Sequence, residues 1–108
     1  DDPGFSLPVF IEPHPRRVQE TWRVQGMLRG RPLDKPVVTM ISTDTAVLPG
    51  DGVYACSDPA SLPVAILVGY VEACRRNDKE PVLWDITLRP AVELNRLRDV
   101  IIVNASLP

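Results

Sequence analysis

Residues 82–89 show the most regular alternation in the chain: the even-numbered positions are apolar and the odd-numbered positions are mostly polar. Successive side chains of a β-strand point to opposite faces, so this pattern predicts a strand with one buried and one exposed face. Leu83 is the apolar residue on the polar face. We take it as a candidate contact residue for a partner protein, although single exposed leucines are common.

Other strand-forming runs recur along the chain, separated by turn residues. They are residues 5–11, 19–28, 37–41, 53–56, 65–74 and 100–103. A spacing of roughly ten residues between short strands is typical of small sandwiches and barrels. The pattern therefore predicts an all-β domain, a barrel or sandwich of six to seven strands.

Proline and glycine mark where the chain reverses or changes structure. Pro49-Gly50-Asp51-Gly52 predicts a tight turn, because proline fixes φ and glycine accepts positive φ. Gly26, inside a predicted strand, indicates a bulge or bend. Pro90 ends the alternating strand, and Leu94 and Leu97 follow at a spacing of three. This combination predicts one short helical turn after Pro90.

The first fifteen residues leave two interpretations open. Pro8 interrupts residues 5–11, and proline is found in edge strands rather than central ones. The segment is either an extended arm that adds to a neighbouring sheet, or the first strand of the domain itself, which we favour. The arm would make Phe5, Val9 and Ile11 candidate contact residues.

Composition limits the class of function. The 108 residues suit one domain with one core, and 44% hydrophobic and 24% charged residues are typical of a globular chain. Twelve prolines disfavour a helix bundle. A net charge of −2 gives no electrostatic basis for nucleic-acid binding. The chain begins at Asp1 without a methionine, so we expect it to be a segment of a longer protein.

The sequence predicts no catalytic, cofactor-binding or metal-ligating residues. His14 is the single histidine, lies between two prolines, and no other side chain is an obvious base for a serine. Cys56, Cys74 and His14 are too scattered for a zinc site. A hairpin turning near Ser61 would place Cys56 opposite Leu67, so we expect two separate buried thiols. A binding or structural domain is favoured over a small β-barrel enzyme.

Several motifs in order resemble the C-terminal β region of the rod shape-determining protein MreC family, and they cover about half of the chain. They are Gly50-Asp51-x-Val53, Leu62-Pro63, Val68-Gly69-x-Val71, Arg89-Pro90-Ala91-x-x-Glu93-Leu94-x-Arg96-Leu97 and Val100-Ile101-Ile102-Val103. The resemblance makes Gly50, Asp51, Pro63, Gly69, Pro90, Leu94 and Leu97 the expected turn and motif positions.

The resemblance also implies a function. It implies a non-enzymatic scaffold module of the bacterial cell-wall elongation machinery, outside the cytoplasmic membrane and anchored by a segment not in this chain. The implied partners are further copies of the protein, a penicillin-binding transpeptidase and other membrane components of the elongation complex, with no nucleic acid and no small-molecule substrate. The alternative is the β-barrel adaptor of a membrane-fusion protein from an efflux or secretion system.

Overall fold

A computed structural model describes residues 4–56 and 65–93, which form a closed barrel of antiparallel strands. The strands are β1 (Phe5–Glu12), β2 (Val24–Gly30), β3 (Val37–Ser42), β4 (Gly52–Cys56), β5 (Ala65–Arg76) and β6 (Leu83–Pro90). Their order around the barrel is β1-β2-β3-β6-β5-β4. The prediction of an all-β barrel is confirmed. No helix in this part of the chain has the length and hydropathy needed to span a bilayer.

The N-terminal strand closes the barrel. Its whole length pairs with β2, from Phe5 opposite Gly30 to Ile11 opposite Val24. Its second half also pairs with β4, from Val9 opposite Ala55 to Glu12 opposite Gly52. β1 is therefore a strand of this domain, as the favoured interpretation held, although Pro8 lies within it.

The interior of the barrel is filled by apolar side chains from all six strands and by Val47 of the β3–β4 connection. Twelve of them have exposed fractions of 3% or less: Val9, Ile11, Leu28, Val38, Ile41, Val47, Val53, Ala55, Val68, Val71, Ile86 and Leu88. Small barrels have room inside only for side chains. Alternation along each strand then places the remaining strand residues on the outer surface.

Bulges bend two of the strands. β5 has two extra residues. One lies opposite the step from Val53 to Tyr54 in the pairing with β4, and the other lies between Val71 and Ala73 in the pairing with β6. In β3, the register with β6 shifts between Val38 and Ile41. Such extra residues increase local twist and allow a sheet to curve into a barrel.

The bulge expected at Gly26 lies instead on the neighbouring strand. Met40 in the β3 bulge has a φ of 69°, whereas Gly26 keeps regular pairing with Val9. A Cβ at Gly26 would lie 2.6 Å from Ile41 Cδ1 and 2.7 Å from the Thr39 carbonyl oxygen. Glycine is required there because the bulged strand packs directly against it.

Other boundaries differ from the sequence-based expectation. β2 begins at Val24 rather than at residue 19. Pro90 ends β6, and residues 91–93, the described part of the predicted helical turn, are not helical. Cys56 pairs with Ala65 rather than with Leu67. Residues 58–63 and the predicted strand 100–103 lie outside the described residues, as do the motif positions Pro63, Leu94 and Leu97.

Candidate functional site

A buried carboxylate joins the 14–17 loop to the turn that precedes β4. Asp51 is fully buried, at 0% exposed. Its Oδ1 accepts the His14 backbone N–H at 2.9 Å, and its Oδ2 accepts the Leu48 backbone N–H at 2.9 Å. Arg17 Nη1 donates to the same Oδ2 at 2.5 Å. A buried charge is tolerated when it is paired and hydrogen-bonded to this degree.

The turn that carries Asp51 is also fixed to β5 through the backbone. Gly50 N–H donates to the Val71 carbonyl at 2.8 Å, and Val71 N–H donates to the Asp51 carbonyl at 2.8 Å. Gly50 has a φ of 97°, a conformation that side-chain-bearing residues rarely adopt. The predicted turn at this position is thus present, and its aspartate holds the turn against the 14–17 loop.

The charge of Asp51 affects two ionisable neighbours. Its hydrogen bond raises the pKa of the Arg17 guanidinium, against the opposing effect of desolvation. Burial raises the pKa of the Cys74 thiol, and the negative charge of Asp51 adds to this effect. Cys74 is an unpaired cysteine, and its Sγ donates to the Val47 carbonyl at 3.4 Å. This network fixes the turn that carries Asp51 to the 14–17 loop and to β5.

His14 belongs to the same loop as Arg17. Its Nδ1 accepts the Arg16 backbone N–H at 3.0 Å, which closes a local turn. In residues 4–56 and 65–93 no group of three or more histidine, cysteine, aspartate or glutamate side chains is placed to hold a metal ion.

An aromatic column covers one end of the outer surface of β2, β1 and β4. Phe10 alternates with the core residues of β1 and so points outward, yet it is only 8% exposed. Its ring stacks on that of Tyr54 with centroids 5.3 Å apart. The guanidinium of Arg23, the residue before β2, lies 4.4 Å from the centroid of the Phe10 ring. Arg23 in turn pairs with Glu12 at 3.2 Å. The two aromatic rings are nearly parallel, with an interplanar angle of 16°.

A groove lies beside this column on the outer face of β1, β2 and β3. Its volume is about 360 Å³, and its outward side chains are Pro8, Phe10, Gln25, Met27 and Met40. Met40 is 64% exposed and has positive φ because it occupies the β3 bulge. The groove was not predicted, because its members come from three strands and the bulge has no sequence signal at Met40.

The four predicted contact residues occupy different environments. Leu83 is half-buried on the outer face of β6, next to Val82, which is 66% exposed. Phe5 is partly buried, packs against the core and lies over Gly30. Val9 and Ile11 are in the core, at 3% and 0% exposed, so a partner reaches them only if the barrel opens. Their role in partner contacts stays a prediction.

Gly69 is another predicted motif position that the structure describes. A Cβ at Gly69 would lie 2.4 Å from the Arg89 carbonyl oxygen and 2.8 Å from Leu88 Cδ1. β6 therefore approaches β5 too closely for any side chain at this point. Gly69 pairs with Pro90, so two motif positions of the sequence meet where the two strands are in closest contact.

Comparison with known proteins agrees with this architecture. The family model for the barrel core of the rod shape-determining protein MreC matches residues 2–104. No curated protein and no solved structure was found to match the chain. The match spans nearly the whole chain, includes every strand of the closed barrel, and confirms the resemblance read from the motifs. The chain therefore belongs to the MreC family of rod shape-determining proteins.

Proposed function

We propose that this barrel is a non-enzymatic scaffold module that supports cell shape by holding peptidoglycan synthases of the elongation machinery together. The observation that carries the proposal is the family match over residues 2–104, together with a barrel whose interior is filled by side chains. Because side chains fill the described part of the barrel interior, we place recognition on the outer surface. The role in cell shape is proposed because the chain belongs to a family of rod shape-determining proteins.

The proposed partners are a penicillin-binding transpeptidase, other membrane components of the elongation complex, and further copies of the protein. The barrel acts outside the cytoplasmic membrane, in a longer protein that carries a membrane anchor. Exposed apolar side chains on the outer face support partner binding, since such groups mark interaction sites when they lie together. Leu83 begins β6 on its outer face, and Val82, directly before the strand, is 66% exposed.

Association is tested by pull-down and analytical ultracentrifugation, with the barrel and the extracytoplasmic region of an elongation transpeptidase. We expect binding by the wild-type barrel and weaker binding by Leu83→Asp, because a carboxylate at a contact removes apolar area and adds a desolvation cost. The matched control is Leu33→Asp, which makes the same change at a leucine that is 98% exposed in the β2–β3 turn.

Circular dichroism of both variants verifies the fold. Equal transpeptidase binding by wild type, Leu83→Asp and Leu33→Asp would remove Leu83 from the contact surface. No binding to the transpeptidase or to a second copy at micromolar concentrations would contradict the scaffold role itself.

A further inference from the structure

The outer face of β1 and β2 carries an apolar groove that ends at two arginines. The strand register aligns three outward pairs along this face: Phe10 with Gln25, Pro8 with Met27, and Ser6 with Arg29. The first two pairs line the groove of about 360 Å³. Ser6 and Arg29, with Arg31, line a second cavity of about 270 Å³ further along the same face.

The two arginines are available for an anionic group. Arg29 and Arg31 are both exposed, and neither has an ion-pair partner among residues 4–56 and 65–93. The Nε of Arg29 donates to the Thr39 hydroxyl at 3.4 Å, a neutral and long contact. Guanidinium groups bind carboxylates with charge-assisted and often bidentate hydrogen bonds, so two adjacent arginines favour a carboxylate ligand.

The opposite side of the groove is formed by Met40. Met40 has a φ of 69° and is 64% exposed, and it lines the groove together with Met27 and Gly26. Methionine adapts its shape to apolar partners and is common at binding surfaces that receive more than one ligand. Met40 is therefore an adaptable apolar wall on one side of the groove, and the two arginines lie beyond the end of the groove.

We infer that this face binds an extended segment of a partner protein that is apolar along about four residues and ends in one or two carboxylates. Ser6 and Phe10 are four residues apart on one strand, which corresponds to about 13 Å at the rise of a β-strand. The apolar part lies on Pro8, Met27 and Met40, and the carboxylates meet Arg29 and Arg31. The inference rests on the proposed function, for which it specifies the chemistry of the partner.

Charge complementarity favours a peptide over a membrane as the occupant. Anionic bilayers bind broad clusters of basic residues, whereas this face offers two arginines next to a concave groove on a chain of net charge −2. β1 and β2 already pair with each other along this face. The segment therefore contacts side chains and does not add a strand to the sheet.

The test uses a blocked hexapeptide of alternating leucine and valine followed by two aspartates. Binding is measured by shifts of backbone amide signals in ¹⁵N-labelled protein, and we expect the shifted signals on β1 and β2. Arg29→Glu with Arg31→Glu should weaken binding by about tenfold or more, because two charge pairs become repulsive. The double variant Arg16→Glu and Arg75→Glu changes the net charge equally at exposed sites elsewhere and should bind normally.

A second variant tests the apolar wall while keeping the bulge. Met40→Asp removes the apolar side chain, and aspartate is among the residues that tolerate positive φ. We expect binding to fall about tenfold with an unchanged near-ultraviolet circular dichroism spectrum, as loss of one anchor at an interface commonly does. A hexapeptide with two lysines in place of the aspartates should not bind.

Three results would overturn the inference. The first is no peptide binding at millimolar concentration by a barrel that still binds the transpeptidase, which would leave the proposed function intact. The second is arginine-dependent binding to phosphatidylglycerol vesicles without peptide binding, which would identify a membrane surface. The third is a concentration-dependent shift of the same signals without peptide, which would identify a second copy as the occupant.

Discussion

Asp51 is the residue on which the local structure around β4 depends most. It is fully buried, and it receives hydrogen bonds from His14, Arg17 and Leu48. We expect Asp51→Ala to lower the free energy of unfolding by roughly 3 kcal/mol, because Arg17 and two backbone donors lose their acceptor together. Urea denaturation monitored by tryptophan fluorescence at pH 7 measures the change.

Two further substitutions test whether the burial of Asp51 is the reason for the large loss of stability expected in Asp51→Ala. Asp51→Asn keeps one acceptor oxygen and removes the charge, so its effect should be smaller than that of Asp51→Ala. Glu12→Ala removes an ion pair to Arg23 in which the two side chains are 38% and 61% exposed, and it should cost less than 1 kcal/mol, about the value for surface pairs. An equal effect of Asp51→Ala and Glu12→Ala would contradict the role assigned to Asp51.

The importance of Asp51 could be predicted only in part from the sequence. Pro49 and the flanking glycines identified the turn, and Gly50 has the positive φ that the turn requires. Arg17 lies 34 positions away, and no pattern in the sequence connects an arginine of an irregular loop with an aspartate of a distant turn. Partners of this kind are set by the tertiary arrangement of the strands.

Among the elements, β3 shows how a bulge depends on the conformation of one residue. Met40 has a φ of 69°, in the left-handed region, where a side chain costs about 1–2 kcal/mol and a β-branched one costs more. We expect Met40→Gly to leave stability within about 1 kcal/mol of wild type and Met40→Val to destabilise the barrel by roughly 2 kcal/mol. Thermal and urea unfolding of the two variants measure this difference.

The contrast between the two variants separates backbone strain from side-chain loss. Met40 is 64% exposed, so removing its side chain takes little from the core. If Met40→Gly and Met40→Val were equally stable, the bulge would not depend on the left-handed conformation at this position.

Strands with a simple alternation were predictable, and those shaped by bulges were less so. β6 follows its apolar and polar positions from Trp84 to Leu88. In β3, by contrast, the extra residue shifts the alternation, and Val38 and Ile41 are both in the core although they are three positions apart. The sequence signal for irregularity, Gly26, marks the strand that the bulge packs against and not the bulge itself.

For the whole molecule, the N-terminal strand is a structural requirement of the barrel. β1 pairs with both β2 and β4, and it places Val9 and Ile11 in the core. We expect deletion of residues 1–11 to abolish the folded state, because two strands lose their partner and the core loses two of its side chains. Dispersion of amide signals in an NMR spectrum is the measurement.

The deletion also distinguishes a barrel strand from a docking arm. A shortened chain that retained dispersed signals and a cooperative unfolding transition would show that residues 1–11 are dispensable for folding. In that case the arm interpretation, in which this segment binds a neighbouring molecule, would be the better one.

Surface sites depend most on the whole molecule and were the least predictable. Leu83 was identified because it breaks the pattern of one strand, a signal that the sequence contains. The groove next to Met40 needs β1, β2 and β3 side by side, and the arginines at its end need the register that places Ser6 opposite Arg29. Register is set by the assembled sheet and is not encoded in any one segment.

The closure of the barrel by its first strand also determines the order in which the growing chain can fold. β1 and β2 come first in the chain and pair with each other. Val9–Glu12 can complete their second pairing only when Gly52–Ala55 are present, and β3 can complete its second pairing only when Leu83–Thr87 are present. Pairings this distant in sequence form slowly, because long loops must close before any contact compensates for the lost entropy. Until β6 is available, the partly folded chain has unpaired strand edges that are open to aggregation, so closure of the barrel requires all six strands.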